Sequence, residues 1–271
     1  AHNGISISEG GLDEVSRNTL VVQYNNSQEL DFVLEKQKDI ACVIIEPVLA
    51  NMGLVLPEKN FLSEIRKITK DHDVPLIFDE VVTGFRMSTG GAQKYFSIKP
   101  DLTTLGKALG NGFVIAAVGG KEEIMNMLSP KGKVYQASTY AGNPISVTAA
   151  IESIKTINKN KNKLYPKLEM SCTILAKAIK DLATDMKISH QINFISSMFQ
   201  IFFTDKPVKD YGTAKKADVK KFKKLFTTLL KNGVFIAPSQ FETVFLSYAH
   251  TTNDLHKTLE AYERSLKAVK T

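Results

Sequence analysis

Two short apolar runs constrain the fold more than any other feature of the chain. Residues 40–45 form a continuous run rich in β-branched side chains, ending in Glu46-Pro47. Residues 74–78 repeat the pattern and end in Asp79-Glu80. A third run, 114–118, is closed by Gly119-Gly120. Runs without polar alternation read as strands buried on both faces. Between the first two, Phe61, Leu62, Ile65 and Ile68 recur at helical spacing over 57–72, and Pro57 sits at the start. Strands alternating with helices predict an α/β fold with a mostly parallel sheet. In such sheets ligands sit beyond the carboxyl ends of the strands. Glu46, Asn51, Asp79 and Lys107 all lie at or just after such ends.

The remaining pattern fills in around this sheet. Residues 20–22 read as a short strand, and Ser27 is expected to cap a helix over 27–38. A helix is expected from Asn143-Pro144 to about residue 157, then a solvated turn over the Lys/Asn-rich stretch 158–163, then a second helix to about residue 182. Beyond it the rhythm changes. Strand-like segments over 188–203, a helix over 216–231, strands at 234–237 and 244–248 and a helix over 254–269 predict a smaller α+β layer. The domains are therefore expected to be 1–160 and 161–271.

Composition excludes several classes. No apolar run approaches the roughly 18 residues of a membrane span, so no membrane is expected as partner. Cys42 and Cys172 are too few for a disulfide framework. Cys42 lies inside an apolar run and reads as a buried thiol in a reducing cytoplasm. The five histidines do not pair with cysteine at zinc spacing, so no metal is expected. The net charge of +7 is concentrated after residue 150. Its lysines interleave with Phe222, Leu225, Phe226 and Leu229, which fits a solvated helix face better than a nucleic-acid surface. The Gly/Ser-rich opening, 1–11, reads as a mobile loop, and an upstream portion is expected to be missing.

Lys107 lies in Leu105-Gly106-Lys107-Ala108-Leu109-Gly110-Asn111-Gly112, among small and apolar residues. Such a setting keeps the backbone bare, as close approach of a flat group requires. Asp79 closes a buried strand, where a carboxylate is costly unless paired. It can also be an ordinary strand-end acid bonded to loop amides. Together the two suggest pyridoxal phosphate: a lysine can form an imine with its aldehyde, and a carboxylate keeps its ring nitrogen protonated. Val81 could pack on the ring and Asn51 could donate to its oxygen. They read equally well as a core valine and a turn residue. Ser138-Thr139 precede a helix start that suits a phosphate, or simply cap it. Glu242 alone reads as a loop acid. No Walker loop, GxGxxG or GxSxG motif competes.

Phe78-Asp79-Glu80-Val81-Val82-Thr83-Gly84-Phe85-Arg86 resembles the aspartate motif of the class III pyridoxal-phosphate aminotransferases. Pro100-Asp101-Leu102-Thr103-Thr104-Leu105-Gly106-Lys107 resembles their lysine motif. Glu46-Pro47 with Asn51-Met52-Gly53, Ala137-Ser138-Thr139 with Gly142-Asn143-Pro144, and Ser239-Gln240-Phe241-Glu242 with Ala249-His250-Thr251 resemble the glutamate-1-semialdehyde 2,1-aminomutase branch. The resemblance implies a fold-type I transferase with an incomplete large domain. Lys107 would be the Schiff-base lysine and proton shuttle, Asp79 would pair with the pyridine nitrogen, Val81 would pack on the ring and Asn51 would bond the ring oxygen. Ser138 and Thr139 would bind the phosphate of a neighbouring subunit's cofactor, which makes a homodimer the expected assembly. Glu242 would lie near lysine and substrate. The implied reaction turns the small molecule glutamate 1-semialdehyde into 5-aminolevulinate for tetrapyrrole synthesis, starting from the pyridoxamine phosphate form. A class III ω-aminotransferase and a catalytically incomplete relative remain as alternatives. Members of the branch have a long N-terminal portion, so this chain is expected to start within their gating loop and to show little activity alone.

Overall fold

The computed structural model describes residues 12–270 of the 271-residue chain. The expected opening loop, 1–11, lies outside the described residues. Helices α1 (Asp13–Arg17) and α2 (Ser27–Lys36) lead into strand β1 (Val43–Ile45), helix α3 (Phe61–Asp71) and strand β2 (Leu76–Glu80). Helix α4 (Gly91–Tyr95), strands β3 (Leu102–Leu105) and β4 (Ala117–Gly120) and helix α5 (Glu122–Met125) complete the first layer. The sheet order is β1-β2-β3-β4, with the first three strands parallel and β4 antiparallel.

The sheet is covered on one face only by the described residues. Partners opposite each other in register share a face. Val43, Ile45, Leu76 and Phe78 turn towards α2 and α3, where Leu30, Leu34, Phe61, Leu62 and Ile65 complete a core. Ile44, Ile77, Asp79 and Thr104 turn the other way. Ile44 is accordingly 61% exposed. This corrects two expectations: the apolar runs are not buried on both faces, and Cys42, beside the edge strand, is exposed. Residues 114–118 are also corrected. The strand there begins only at Ala117 and is exposed throughout.

Helix α6 (Pro144–Asp185) is a single 42-residue element. The solvated turn over 158–163 does not exist. Its alternating Asn and Lys are polar but lack a glycine, and Lys has good helix propensity. Asn160 Nδ2 even bonds back to the Thr156 carbonyl at 2.8 Å. The expected division near residue 160 thus falls inside a helix. The helix opens with Pro144 in its first turn, and Asn143 Oδ1 accepts from the Ile145 and Ser146 amides.

The second layer pairs β5 (Gln191–Ile195), β6 (Met198–Phe202) and β7 (Val244–Phe245) antiparallel, with helices α7 (Tyr211–Lys215), α8 (Val219–Lys231) and α9 (Thr252–Lys270). Leu175, Ile179, Phe199, Phe222, Leu225 and Tyr262 form its core. The lysines of α8 lie outside this core, while Phe222, Leu225 and Leu229 are buried. Residues 234–237 and 20–22 are not strands. Both have apolar side chains but pair with no strand among the described residues, and Phe235 is 75% exposed.

Candidate active site

Asp79 is the penultimate residue of β2, and β3 lies beside it with Thr104 in register. The Val81 amide donates to Asp79 Oδ1 at 3.0 Å and the Thr104 hydroxyl donates to the same oxygen at 3.1 Å. Asp79 Oδ2 has no hydrogen bond among the described residues. The carboxylate is therefore fixed by one oxygen and offers the other. Two residues beyond β3, Lys107 opens a short 3₁₀ turn, Lys107–Leu109. Its φ of +42° is left-handed, uncommon for a residue with a Cβ and a mark of local strain.

The glycines around Lys107 do different work. A Cβ on Gly106 would lie 3.4 Å from Val81 Cγ1, so the chain runs close to the valine just before the lysine. A Cβ on Gly110 would lie 2.4 Å from the Phe113 carbonyl oxygen, so this glycine is needed to fold the loop on itself. Only Gly112, at φ +102°, stands in open space. The bare backbone expected from sequence is in part a packing requirement.

Glu46, at the end of β1, joins the same corner. Its carboxylate accepts from the Ala50 amide at 3.0 Å, and the Asn51 side chain lies 3.4 Å from it. Burial raises the Glu46 carboxyl above its ordinary range. Its bonds to Ala50 and Asn51 oppose this, the negative charge of Asp79 adds to it, and the positive charge of Lys107 works against it. Glu46, Asn51, Asp79 and Lys107 are thus electrostatic neighbours. Tyr24 holds the start of this loop, donating to the Pro47 carbonyl at 2.8 Å while its ring meets Phe61 edge-on.

The loop after β1 is clamped to the second layer. The Gly53 amide donates to the Phe241 carbonyl at 2.6 Å, and the Thr243 hydroxyl to the Ala50 carbonyl at 2.9 Å. This brings the loop of Glu242 against the loop of Asn51. Glu242 itself is exposed, and its carbonyl takes a close hydrogen bond from the Gln200 side chain. Gly53 has φ +73°, and a Cβ there would sit 2.5 Å from the Phe202 ring and 2.7 Å from the Gln240 carbonyl oxygen. Gly53→Ala is expected to cost about 2 kcal/mol or more, through strain and overpacking together. A lower urea midpoint at unchanged m-value checks it.

Ser138 and Thr139 are not brought to this cluster. Both are exposed, in a loop where Ser138 Oγ accepts only from the Tyr140 amide at 3.3 Å. Helix α6, which follows, packs on the 3₁₀ turn of Lys107. Thr104 was not singled out from sequence, and Glu46 was placed there at a strand end without a role of its own. The signal for Thr104 was its place in the next strand, one step of parallel pairing from Asp79.

The chain matches the family model described as Aminotransferase class-III over residues 12–266. It is 71% identical over 270 residues to a protein of Nitrosopumilus maritimus named glutamate-1-semialdehyde 2,1-aminomutase, covering 100% of this chain and 64% of that protein. It is 52% identical to glutamate-1-semialdehyde 2,1-aminomutase 1 of Cenarchaeum symbiosum, with the same coverage. Among solved structures, an omega-transaminase from Sphaerobacter thermophilus superposes with a TM-score of 0.90 at 24% identity, covering 98% of this chain and 60% of that one. A glutamate-1-semialdehyde-aminomutase from Pseudomonas aeruginosa PAO1 does so with 0.83 at 21% identity, covering 96% and 60%. The chain therefore has their fold and spans about 64% of the length of the curated relatives.

Proposed function

The chain belongs to the class-III aminotransferase family, and on that premise we propose that it is the lysine-bearing part of a glutamate-1-semialdehyde 2,1-aminomutase. The 71% identity to a protein of that name carries the choice of reaction. The cofactor on this reading is pyridoxal phosphate, supplied as pyridoxamine phosphate. The residues present fit it. Asp79 has a fixed carboxylate with one oxygen to spare, Val81 stands beside it, and Lys107 follows at the end of the adjacent strand. Pyridoxal phosphate supplies an electron sink that stabilises negative charge at a carbon next to nitrogen.

The chain's own groups have separate tasks. Asp79 Oδ2 would accept a hydrogen bond from a protonated ring nitrogen and keep the proton there, because a fixed anion favours the charged form. Val81 Cγ1 and Cγ2 would close one ring face to water. Asn51 Nδ2, now 3.4 Å from Glu46, is the donor for the ring oxygen. Lys107 Nζ would hold the cofactor and would take and return protons at the two substrate carbons between which the amine moves. Glu242, exposed in the loop clamped against that of Asn51, would lie near the lysine and substrate. Ser138 and Thr139, turned outward, serve the phosphate of a second copy. Exposed Tyr135, Tyr140 and Ile145 around them support a homodimer. Among the described residues no helix is long and apolar enough to cross a membrane.

Glutamate 1-semialdehyde supplied without an amino donor is expected to give sustained 5-aminolevulinate from the protein that carries this chain. Product that stops near one equivalent per cofactor and resumes only with an added amino donor would identify an ω-aminotransferase instead.

A further inference from the structure

We propose that Glu80 is a positioning residue that holds Asp79 in place from behind the sheet, through Gln93 and Thr103. Alternation along β2 sends neighbouring side chains to opposite faces, so Asp79 turns to the open face and Glu80 to the covered one. Glu80 is 0% exposed. Among the described residues no Lys, Arg or His pairs with it. Its charge is met by hydrogen bonds alone. The Thr83 hydroxyl donates at 3.0 Å, the Gln93 side chain at 3.0 Å, the Gln93 amide at 3.1 Å, and the Ala92 amide also donates.

Gln93 Nε2 also donates to Thr103 Oγ1 at 3.2 Å. One side-chain amide therefore ties β2 to β3 on the covered face. On the open face the Thr104 hydroxyl ties Asp79 to β3. The two ties use adjacent residues of the same two strands, back to back. β2 carries Asp79 and β3 leads into Lys107, so the rear tie fixes how those two groups stand to each other.

A buried carboxylate without a cation is costly, and an apolar side chain would pack at this position at lower cost. The surroundings are shaped to keep it. A Cβ on Gly91, at φ +66°, would lie 2.1 Å from Glu80 Oε2. A Cβ on Gly84 would lie 2.6 Å from the Glu80 carbonyl oxygen, to which the Gly84 amide donates at 2.8 Å. Both glycines, the Thr83 turn and the start of α4 are thus arranged around one residue.

The catalytic meaning of this position rests on the reading of Asp79 given above, whereas the tie itself can be measured without cofactor. The Val81 amide is the probe, since it donates to Asp79 Oδ1. Gln93→Leu removes the tie and leaves Glu80 its backbone donors, and Thr103→Val removes the far end. In both variants of the 271-residue chain, exchange of the Val81 amide with solvent deuterium is expected to accelerate about tenfold or more, while amides of Phe199 and Leu225 change less than about twofold. Thr103→Ser keeps the hydroxyl and is expected to retain the wild-type rate. Glu80→Gln, which turns an amide donor towards backbone donors, is expected to act at least as strongly where it folds. An unchanged Val81 rate in Gln93→Leu overturns the proposal. Equal acceleration at Val81, Phe199 and Leu225 also overturns it, because that is general loosening. Failure of the protein that carries this chain to capture pyridoxal phosphate counts against the functional reading alone.

Discussion

Replacing Lys107 with alanine is expected to abolish borohydride-fixed attachment of pyridoxal phosphate and to lower turnover of the protein that carries this chain by about a thousandfold or more. The size of the effect follows from two separate duties. On the proposed function the ε-amine would be the nucleophile that attaches the cofactor, and the same nitrogen would move protons between two carbons. No neighbour can substitute. Glu46 and Asp79 are acids, and Asn51 is an amide that cannot accept a proton near neutral pH. Among the described residues Lys107 has no ion pair, and its backbone is already held at a strained φ of +42°. Strain at one residue persists only where the surroundings enforce it. Here Gly106 against Val81 on one side and the Gly110 turn on the other enforce it. Peptide mapping after reduction is the measurement. Label on Lys94 or Lys99 with none on Lys107 would sink the assignment. So would a Lys107→Ala protein labelled as strongly as the wild type.

The parts legible in the sequence were those where a local pattern and its tertiary surroundings agree. The runs ending at Glu46 and Asp79 became neighbouring parallel strands, and the helical spacing of Phe61, Leu62 and Ile65 became the buried face of α3. The gathering of Glu46, Asn51, Asp79 and Lys107 was legible because parallel strands align their carboxyl ends. Other features were decided by contacts that sequence spacing does not reveal. Burial of Cys42 and Ile44 depends on what covers the open face of the sheet, not on their own run. The polarity at 158–163 describes an exposed helix face and was mistaken for a change of backbone. Thr104 became visible only with the β2–β3 register, which sets it beside Asp79, and Glu80 only through Gln93, which ties it to Thr103 behind the sheet. Ser138 and Thr139 point away from the cluster within this chain. Their assigned role needs a second copy.

The sheet that aligns these groups is fastened at its other end by Asp101, and Asp101→Ala is expected to destabilise the chain by about 3–5 kcal/mol. Asp101 opens the segment leading into β3 and its side chain is 5% exposed. Arg66 from α3 reaches it at 2.6 Å and Lys121 beyond β4 at 2.9 Å, while the first amide of β2, that of Leu76, donates to it at 2.8 Å. One carboxylate thus joins a helix and three strands. Removing it leaves a largely buried guanidinium and a buried amide without their acceptor, and that loss exceeds the modest gain of the intact pair. Burial by itself would raise the Asp101 carboxyl, but the hydrogen bonds from Arg66, Leu76 and Lys121 outweigh it and hold it at about 2 instead of 3.8. A lowered carboxyl contributes stability above its unfolded value and loses it as the pH falls through the folded one. The gap between wild type and Asp101→Asn is therefore expected to be constant above pH 3.8 and to close as the pH approaches about 2. Urea midpoints across that range measure it. A gap that stays the same down to the lowest pH at which both proteins fold would mean that Asp101 acts through packing and not through its charge.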